Sequence, residues 1–140
     1  MIHSMNVGDT REYTRTITKK DVQTFAQITA DYNPAHFDEN YCKATRFKQP
    51  IVHGMLVGSL FSKIFGLEYP GEGTIYVSQS LTFLKPVYPD QELIIKVTVA
   101  SLDQAKNRAY FTTEVFSKDD QKLLTGEAML MPKKRKQLEE

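Results

Sequence analysis

Hydrophobic and polar positions fall into two textures along this chain. In the second half they alternate. Ile75, Val77, Leu81 and Phe83 share one parity, Leu93, Ile95, Val97 and Val99 repeat it against Glu92, Lys96 and Thr98, and Tyr110–Phe116 and Leu123–Met131 complete the set. Turn-like residues at Asp103–Asn107 and Lys118–Gln121 join these runs. A period of two with short connections predicts an antiparallel sheet with one face covered.

The first half reads differently. Val7–Ile17, rich in Thr, Tyr and Arg in rough alternation, predicts a short strand. Thr18 is placed as a helix N-cap with Asp21 three residues on, where a negative charge suits the helix start. Val22, Phe25, Ala26 and Ile28 follow at near-helical spacing, so an amphipathic helix runs to about Ala30 and is stopped by Asn33-Pro34. Asp38 can cap a second short helix through Tyr41, Ala44 and Thr45. After Pro50, the segment Ile51–Gly66 has the length of a helix, is apolar nearly all round, and carries Gly54, Gly58, Ser59 and Ser62 among its large residues. A helix hydrophobic on most faces is a buried one, and Gly66 reads as its C-cap. Nothing else in the chain is large enough to cover the sheet. The expectation is an α+β fold, a meander wrapped around a long buried helix.

Composition narrows the function classes. The 140 residues suit one domain, here taken as 1–132, and Lys133–Glu140 reads as a charged, disordered tail. Lys and Arg total 18 against 17 Asp and Glu, so no global field favours nucleic acid or an anionic membrane. The lone Cys42 rules out a disulfide framework and suits a reducing compartment, which gives a cytoplasmic expectation. The opening residues lack a basic segment followed by an apolar stretch, so no signal peptide is expected. The longest apolar stretch is broken by His53, Ser59, Ser62 and Lys63, so nothing is expected to span a bilayer.

Chemistry concentrates in two places. In Ala30-Asp-Tyr-Asn-Pro-Ala-His36 a carboxylate and an imidazole lie five residues apart across a forced turn. A broken loop can fold Asp31 and His36 toward one point, where such a pair can hold a water and work as acid and base. The same residues would equally serve as an Asp capping the loop and a His donating to a backbone carbonyl. In Ile51-Val-His-Gly-Met55 the first turn of the buried helix offers unpaired N–H groups to an oxygen gaining negative charge, and Gly54 lets a ligand approach that backbone. Gly54 could instead serve only tight helix–sheet packing. Asp31, His36 and His53 lack the spacing of a helical or strand metal-ligand set. Cys42 reads as a half-buried structural thiol, Ser59 and Ser62 lie inside a helix rather than on a nucleophile turn, and Gly71-Glu-Gly73 is a turn rather than a phosphate loop.

Taken together, Asp31-x-Asn-Pro-x-His36, Phe47-x-x-Pro-Ile-Val-His-Gly-Met55, Ser59-Leu-Phe-Ser62 and Ser78-Gln-Ser-Leu-Thr-Phe83 resemble the MaoC-like hydratases and dehydratases, most of all the short R-specific enoyl-CoA hydratases. The resemblance covers about Val7–Pro132, with Ala30 where the family usually has Gly. It implies a hotdog fold, with the long helix at Val52–Phe65, and a homodimer joined edge to edge with acyl tunnels near its interface. It implies Asp31 and His36 as the catalytic pair, the Gly54 N–H on the thioester oxygen, Ser62 as a donor to Asp31, and Asn33 as the residue holding the turn. Acyl-CoA is then the substrate, or an acyl group on acyl carrier protein, with Lys43, Arg46 and Lys48 as candidate contacts for either carrier. No metal or redox cofactor is implied, since the thioester itself acidifies the α-carbon. The reaction expected is reversible hydration of a trans-2-enoyl thioester to the (R)-3-hydroxyacyl thioester. Alternatives are dehydration of 3-hydroxyacyl groups on carrier protein, and a non-catalytic acyl-CoA-binding hotdog module. A thioesterase would have no reason to keep the Asp-x-Asn-Pro-x-His loop.

Overall fold

The structure, a computed structural model, describes residues 1–134; positions 135–140 of the expected charged tail lie outside the described residues. Strands β1 (Thr10–Thr16), β2 (Ile75–Gln79), β3 (Thr82–Phe83), β4 (Glu92–Asp103), β5 (Arg108–Ser117) and β6 (Lys122–Met131) form one antiparallel sheet in the order β1-β4-β5-β6-β2, with β3 also on β6. β5 shows why: it buries every second residue along its length, among them Ala109, Phe111 and Val115, while Tyr110 and Glu114 face outward. The two long hairpins turn through Asn107 and Asp120, both at positive φ, a conformation that Asn and Asp tolerate better than other side chains.

Helix α1 (Lys19–Thr29) starts on a complete capping box. The Thr18 hydroxyl accepts from the Asp21 N–H and the Asp21 carboxylate accepts from the Thr18 N–H. Helix α2 (Glu39–Lys43) is capped by Asp38, whose carboxylate accepts from the Tyr41 N–H at 3.0 Å.

The central segment departs from the single helix expected over Val52–Phe65. It consists of α3 (Gly54–Gly58), α4 (Phe61–Lys63) and a π-helical turn, Ile64–Glu68. The start is late because the backbone is still extended at the N-cap His53 (φ −56°, ψ 131°), just after the Ile51 N–H donates to the Ala35 carbonyl (3.0 Å) and the Val52 N–H to the Val87 carbonyl (2.7 Å). At the break, the Ser59 hydroxyl donates to the Leu56 carbonyl at 2.6 Å, the local competition by which Ser interrupts helices. Gly66 is not the cap; it lies inside the π turn, which closes on the Tyr69 N–H donating to Ile64 O at 2.8 Å. The segment is buried on the side that meets the sheet, while Met55, Ser59, Ser62 and Lys63 stay exposed. Val57, Phe61, Ile64 and Phe65 pack on Leu93, Ile95, Val97 and Phe111, with the Phe65 and Phe111 rings 4.8 Å apart. The sheet curled around this helical segment is the hotdog arrangement.

The parity expected from Ile75 to Phe83 also fails. The ladder shifts by a residue between Tyr76 and Ser78, a β-bulge, and one extra residue exchanges the faces beyond it. Before the bulge Ile75, Tyr76 and Val77 are all exposed, although the Tyr76 ring meets Phe65 at 5.3 Å; beyond it Leu81 packs against the core and the Phe83 ring sits over Gly54.

Between β2 and β3 the chain crosses β6 at Gly126. A Cβ there would stand 1.9 Å from the Ser80 carbonyl oxygen, so Gly126→Ala should cost about 1–3 kcal/mol or more. Gly66, with nothing within 4 Å of a Cβ, should accept Ala at no loss, or with a gain of up to about 1 kcal/mol. Thermal denaturation of the two variants checks both.

Candidate active site

The loop after α1 is built by a chain of short-range hydrogen bonds. Ala30 closes the helix in the left-handed region (φ 62°), its N–H on Ala26 O at 2.7 Å. Such a conformation costs a non-glycine residue roughly 1–2 kcal/mol, so its surroundings must hold it. They do: the Thr29 hydroxyl accepts from the Asp31 N–H (3.2 Å), Asp31 Oδ1 from the Asn33 N–H (3.2 Å) and Asn33 Oδ1 from the Ala35 N–H (3.0 Å). Asn33 thereby caps a one-turn 3-10 helix, Pro34–His36, that delivers the imidazole. The buried Cys42 thiol steadies the loop from below, 3.3 Å from the Ala35 carbonyl, and burial pushes its pKa up. It is fully buried, not half-buried as expected, because α2 packs directly under the loop.

His36 Nδ1 lies 2.8 Å from the Ile51 carbonyl. A carbonyl only accepts, so Nδ1 carries the hydrogen and Nε2 is left bare as a base. Burial pushes the ring's pKa below its usual 6.5; the Ile51 bond opposes this, His53 reinforces it, and Asp31 opposes it weakly. The carbonyl bond expected of a structural His36 thus uses one ring nitrogen and leaves the other unspent.

A third residue joins them. His53 is 3% exposed, stacks on His36 with ring centroids 3.8 Å apart, and has its Nε2 3.0 Å from the Asp31 carbonyl oxygen and 3.9 Å from Asp31 Oδ2. Its Nδ1 is buried without a partner among the described residues. Asp31, His36 and His53 each offer a ligand atom within 4.8 Å of the others. Sequence spacing argued against this set, and the fold supplies the convergence that spacing lacks. Yet the Asp31 carbonyl needs a donor, so His53 Nε2 carries its hydrogen and offers no lone pair to a metal while that bond stands.

The carboxylate of Asp31 and the face of His36 open into a cavity of about 690 Å³, well within the range of small-molecule sites. Phe25, Val57, Phe83, Leu84 and Leu124 make its walls apolar. Gly54 lines it as the first residue of α3, whose start has no side-chain cap. A Cβ at Gly54 would meet the Phe83 ring at 2.7 Å, so the nearest neighbour to this open backbone is an exposed, movable ring. Ser62 is not brought to Asp31. It lies exposed on α4, beyond the break after α3, with no side-chain hydrogen bond among the described residues and outside the cavity lining. The expected cations divide: Arg46 lines this cavity together with Lys85, whereas Lys43 and Lys48 line a second, of about 520 Å³, that reaches His36 from its other side. Sequence reasoning gave Phe83 no place in the site, and it weighed His53 only as a metal ligand with Asp31 and His36 and set it aside on spacing.

The residues that build this site lie within a recognised sequence family: a MaoC-like domain matches residues 5–121. The chain belongs to the MaoC-like domain family. It is 39% identical over 127 residues to an (R)-specific enoyl-CoA hydratase of Aeromonas caviae, covering 91% of this chain and 95% of the relative. To a mitochondrial 3-hydroxyacyl-[acyl-carrier-protein] dehydratase of Arabidopsis thaliana it is 36% identical, covering 89% and 75%. Among solved structures, an unliganded R-hydratase of Pseudomonas aeruginosa superposes with a TM-score of 0.88 at 37% identity, covering 96% of this chain and 86% of that one. Both relatives carry the names of hydro-lyases, enzymes that add or remove water.

The contact between Gly54 and Phe83 is testable by stability alone. Gly54→Ala should cost about 1–3 kcal/mol through overpacking, and adding Phe83→Ala should restore most of the lost melting temperature, because the ring is the atom group in the way. Thermal denaturation of the single and double variants checks this.

Proposed function

We infer that the chain is a hydro-lyase that reversibly hydrates a trans-2-enoyl-CoA to the (R)-3-hydroxyacyl-CoA, with Asp31 and His36 as its catalytic pair. The observation that carries this reading is the pairing of a bare imidazole nitrogen with a carboxylate at the wall of an apolar cavity. The names and reaction class of the relatives support it.

In this reading the acyl chain lies along Phe25, Val57 and Leu124, and a water sits between the Asp31 carboxylate and His36 Nε2. The water oxygen bonds to C3 of the enoyl group while its proton passes to the pair. The electron pair of the C2–C3 bond moves onto the thioester oxygen, where the Gly54 N–H stabilises the growing charge. The pair then returns the proton to C2 and the carbonyl reforms, so water has added across the double bond and the pair is regenerated. No metal or redox cofactor takes part, because the thioester supplies the acidity of C2 and His53 keeps its Nε2 hydrogen on the Asp31 carbonyl. Arg46 and Lys85 suit the phosphate of the carrier. A second reading, dehydration of 3-hydroxyacyl groups on acyl carrier protein, draws on the Arabidopsis relative and uses the same residues. Comparing turnover of crotonyl-CoA with crotonyl carrier protein separates the two. The cytoplasm remains the compartment this reading carries; among the described residues no helix is long and apolar enough to cross a membrane.

The working unit is a homodimer. β1 presents Arg11, Glu12 and Arg15 along its edge, charges that discourage pairing, whereas the opposite edge strand, β2, exposes Ile75 and Val77. Pairing two copies through β2 hides both the apolar side chains and the unpaired backbone groups.

Loss of the enoyl absorbance of crotonyl-CoA tests the chemistry. Asp31→Asn and His36→Gln should each lower turnover roughly 100-fold or more, and the double variant should fall little below the worse single, since both act in one step. The neutral His36 ring is the competent form and its pKa is lowered, so kcat/KM should decline only as pH drops below 6.5. Near-normal turnover in Asp31→Asn would sink the mechanism. For assembly, the solution mass should be about twice 16.0 kDa by light scattering, and Val77→Lys should shift it toward the monomer.

A further inference from the structure

The mechanism uses Asp31 and His36 but leaves His53 without a task, although it is the most deeply buried polar side chain at the site. A buried imidazole is costly to desolvate, and one of its two nitrogens has no partner. Its other nitrogen has one specific partner, the main-chain carbonyl of the residue that carries the catalytic carboxylate, at 3.0 Å. That carbonyl belongs to the residue directly after Ala30, which holds the strained left-handed conformation. The Asp31 carboxylate itself is half exposed, and among the described residues the one hydrogen bond to it comes from the Asn33 N–H in the same loop. Nothing in the loop alone therefore ties Asp31 to the helix that carries Gly54.

We propose that His53 is a positioning residue for Asp31: its Nε2–H clamps the Asp31 carbonyl and so fixes the carboxylate against His36 and the start of α3. The clamp ties Asp31 itself to the residue before α3, whereas the Ile51 bonds to Ala35 and His36 tie only the far end of the loop. His53 is the residue immediately before Gly54, and its reach spans 22 positions of sequence back to Asp31. The stack on His36 at 3.8 Å, with the rings tilted by 26°, keeps the imidazole from rotating off that carbonyl, and Phe25 closes the other side at 4.9 Å. Misplacement of a reacting group by about 1 Å can cost on the order of 100-fold in rate, so a bond far from the bond-making atoms can control turnover. This role rests on the hydratase reading for its effect on turnover, but the clamp itself does not.

Two amides separate the position of the N–H from every other property of the ring. In His53→Gln the amide nitrogen stands where Nε2 stood and reaches the Asp31 carbonyl. In His53→Asn it stands where Nδ1 stood, where no acceptor lies. His53→Phe keeps a ring on His36 without a donor. With crotonyl-CoA as probe, Gln should keep kcat within about threefold of the starting enzyme. Asn and Phe should lose about tenfold or more in kcat with KM within about twofold, the signature of a misplaced catalytic group rather than lost substrate binding. Amide hydrogen exchange at Asp31 and Asn33 reads the clamp without activity, and it should quicken in Asn and Phe but not in Gln. Equal kcat and equal exchange in Gln, Asn and Phe would overturn the proposal and leave His53 as packing. If the Asn variant does not fold, the contrast between Gln and Phe decides alone. If the unaltered protein fails to hydrate crotonyl-CoA while exchange follows the expected order, the reaction reading fails and the clamp stands.

Discussion

A segment apolar on nearly every face can leave water only by being enclosed, and enclosing Val52–Phe65 is the constraint on which this molecule depends. Each fully buried Val, Ile or Phe in it is worth about 1.5–3 kcal/mol, and the sheet curls because that is how one layer covers a helix on several sides. The same enclosure carries the backbone groups at the start of the segment, and the His53 side chain, into the interior. Buried backbone groups and imidazoles must be paired, so the Ile51 N–H takes Ala35 O, the Val52 N–H takes Val87 O, His36 takes Ile51 O and His53 takes Asp31 O. The candidate active site is assembled from those pairings. Its geometry follows from satisfying the polar groups at the start of a buried helix.

The pairings also decide protonation. Two carbonyls, each able only to accept, fix which nitrogen of His36 and His53 carries hydrogen, and they leave His36 Nε2 and the buried His53 Nδ1 bare. Burial then favours the neutral form of His36. The loop that brings Asp31 there holds Ala30 in a conformation few side chains adopt, a local strain offset by bonds on both sides of it. Stability and chemistry are thus arranged around the same handful of hydrogen bonds.

Where local sequence rules met tertiary demands, the tertiary demands won. Ile51 and Val52, expected in or beside the helix, pair as extended backbone with Ala35 and Val87, and the helix starts at Gly54. The strict parity from Ile75 to Phe83 is exchanged by one bulged residue, and that exchange turns Leu81 into the core and sets Phe83 over Gly54 at the cavity. Ser62, which shares a motif with the site, lies away from it on α4, beyond the break after α3.

Much was legible in the order of residues alone. Alternation set three long strands and their turns, a capping box set the first helix, and Asp-x-Asn-Pro-x-His marked a broken loop able to converge two side chains. These are short-range features, fixed by side-chain period and by the backbone preferences of Pro, Asn and Asp. Position 53 shows the limit. In sequence His53 is one polar residue in an apolar run, 22 places from Asp31. Only the folded chain puts it under the loop, because a hydrogen bond between distant segments depends on where the sheet lets the helix start, and no local spacing records that distance.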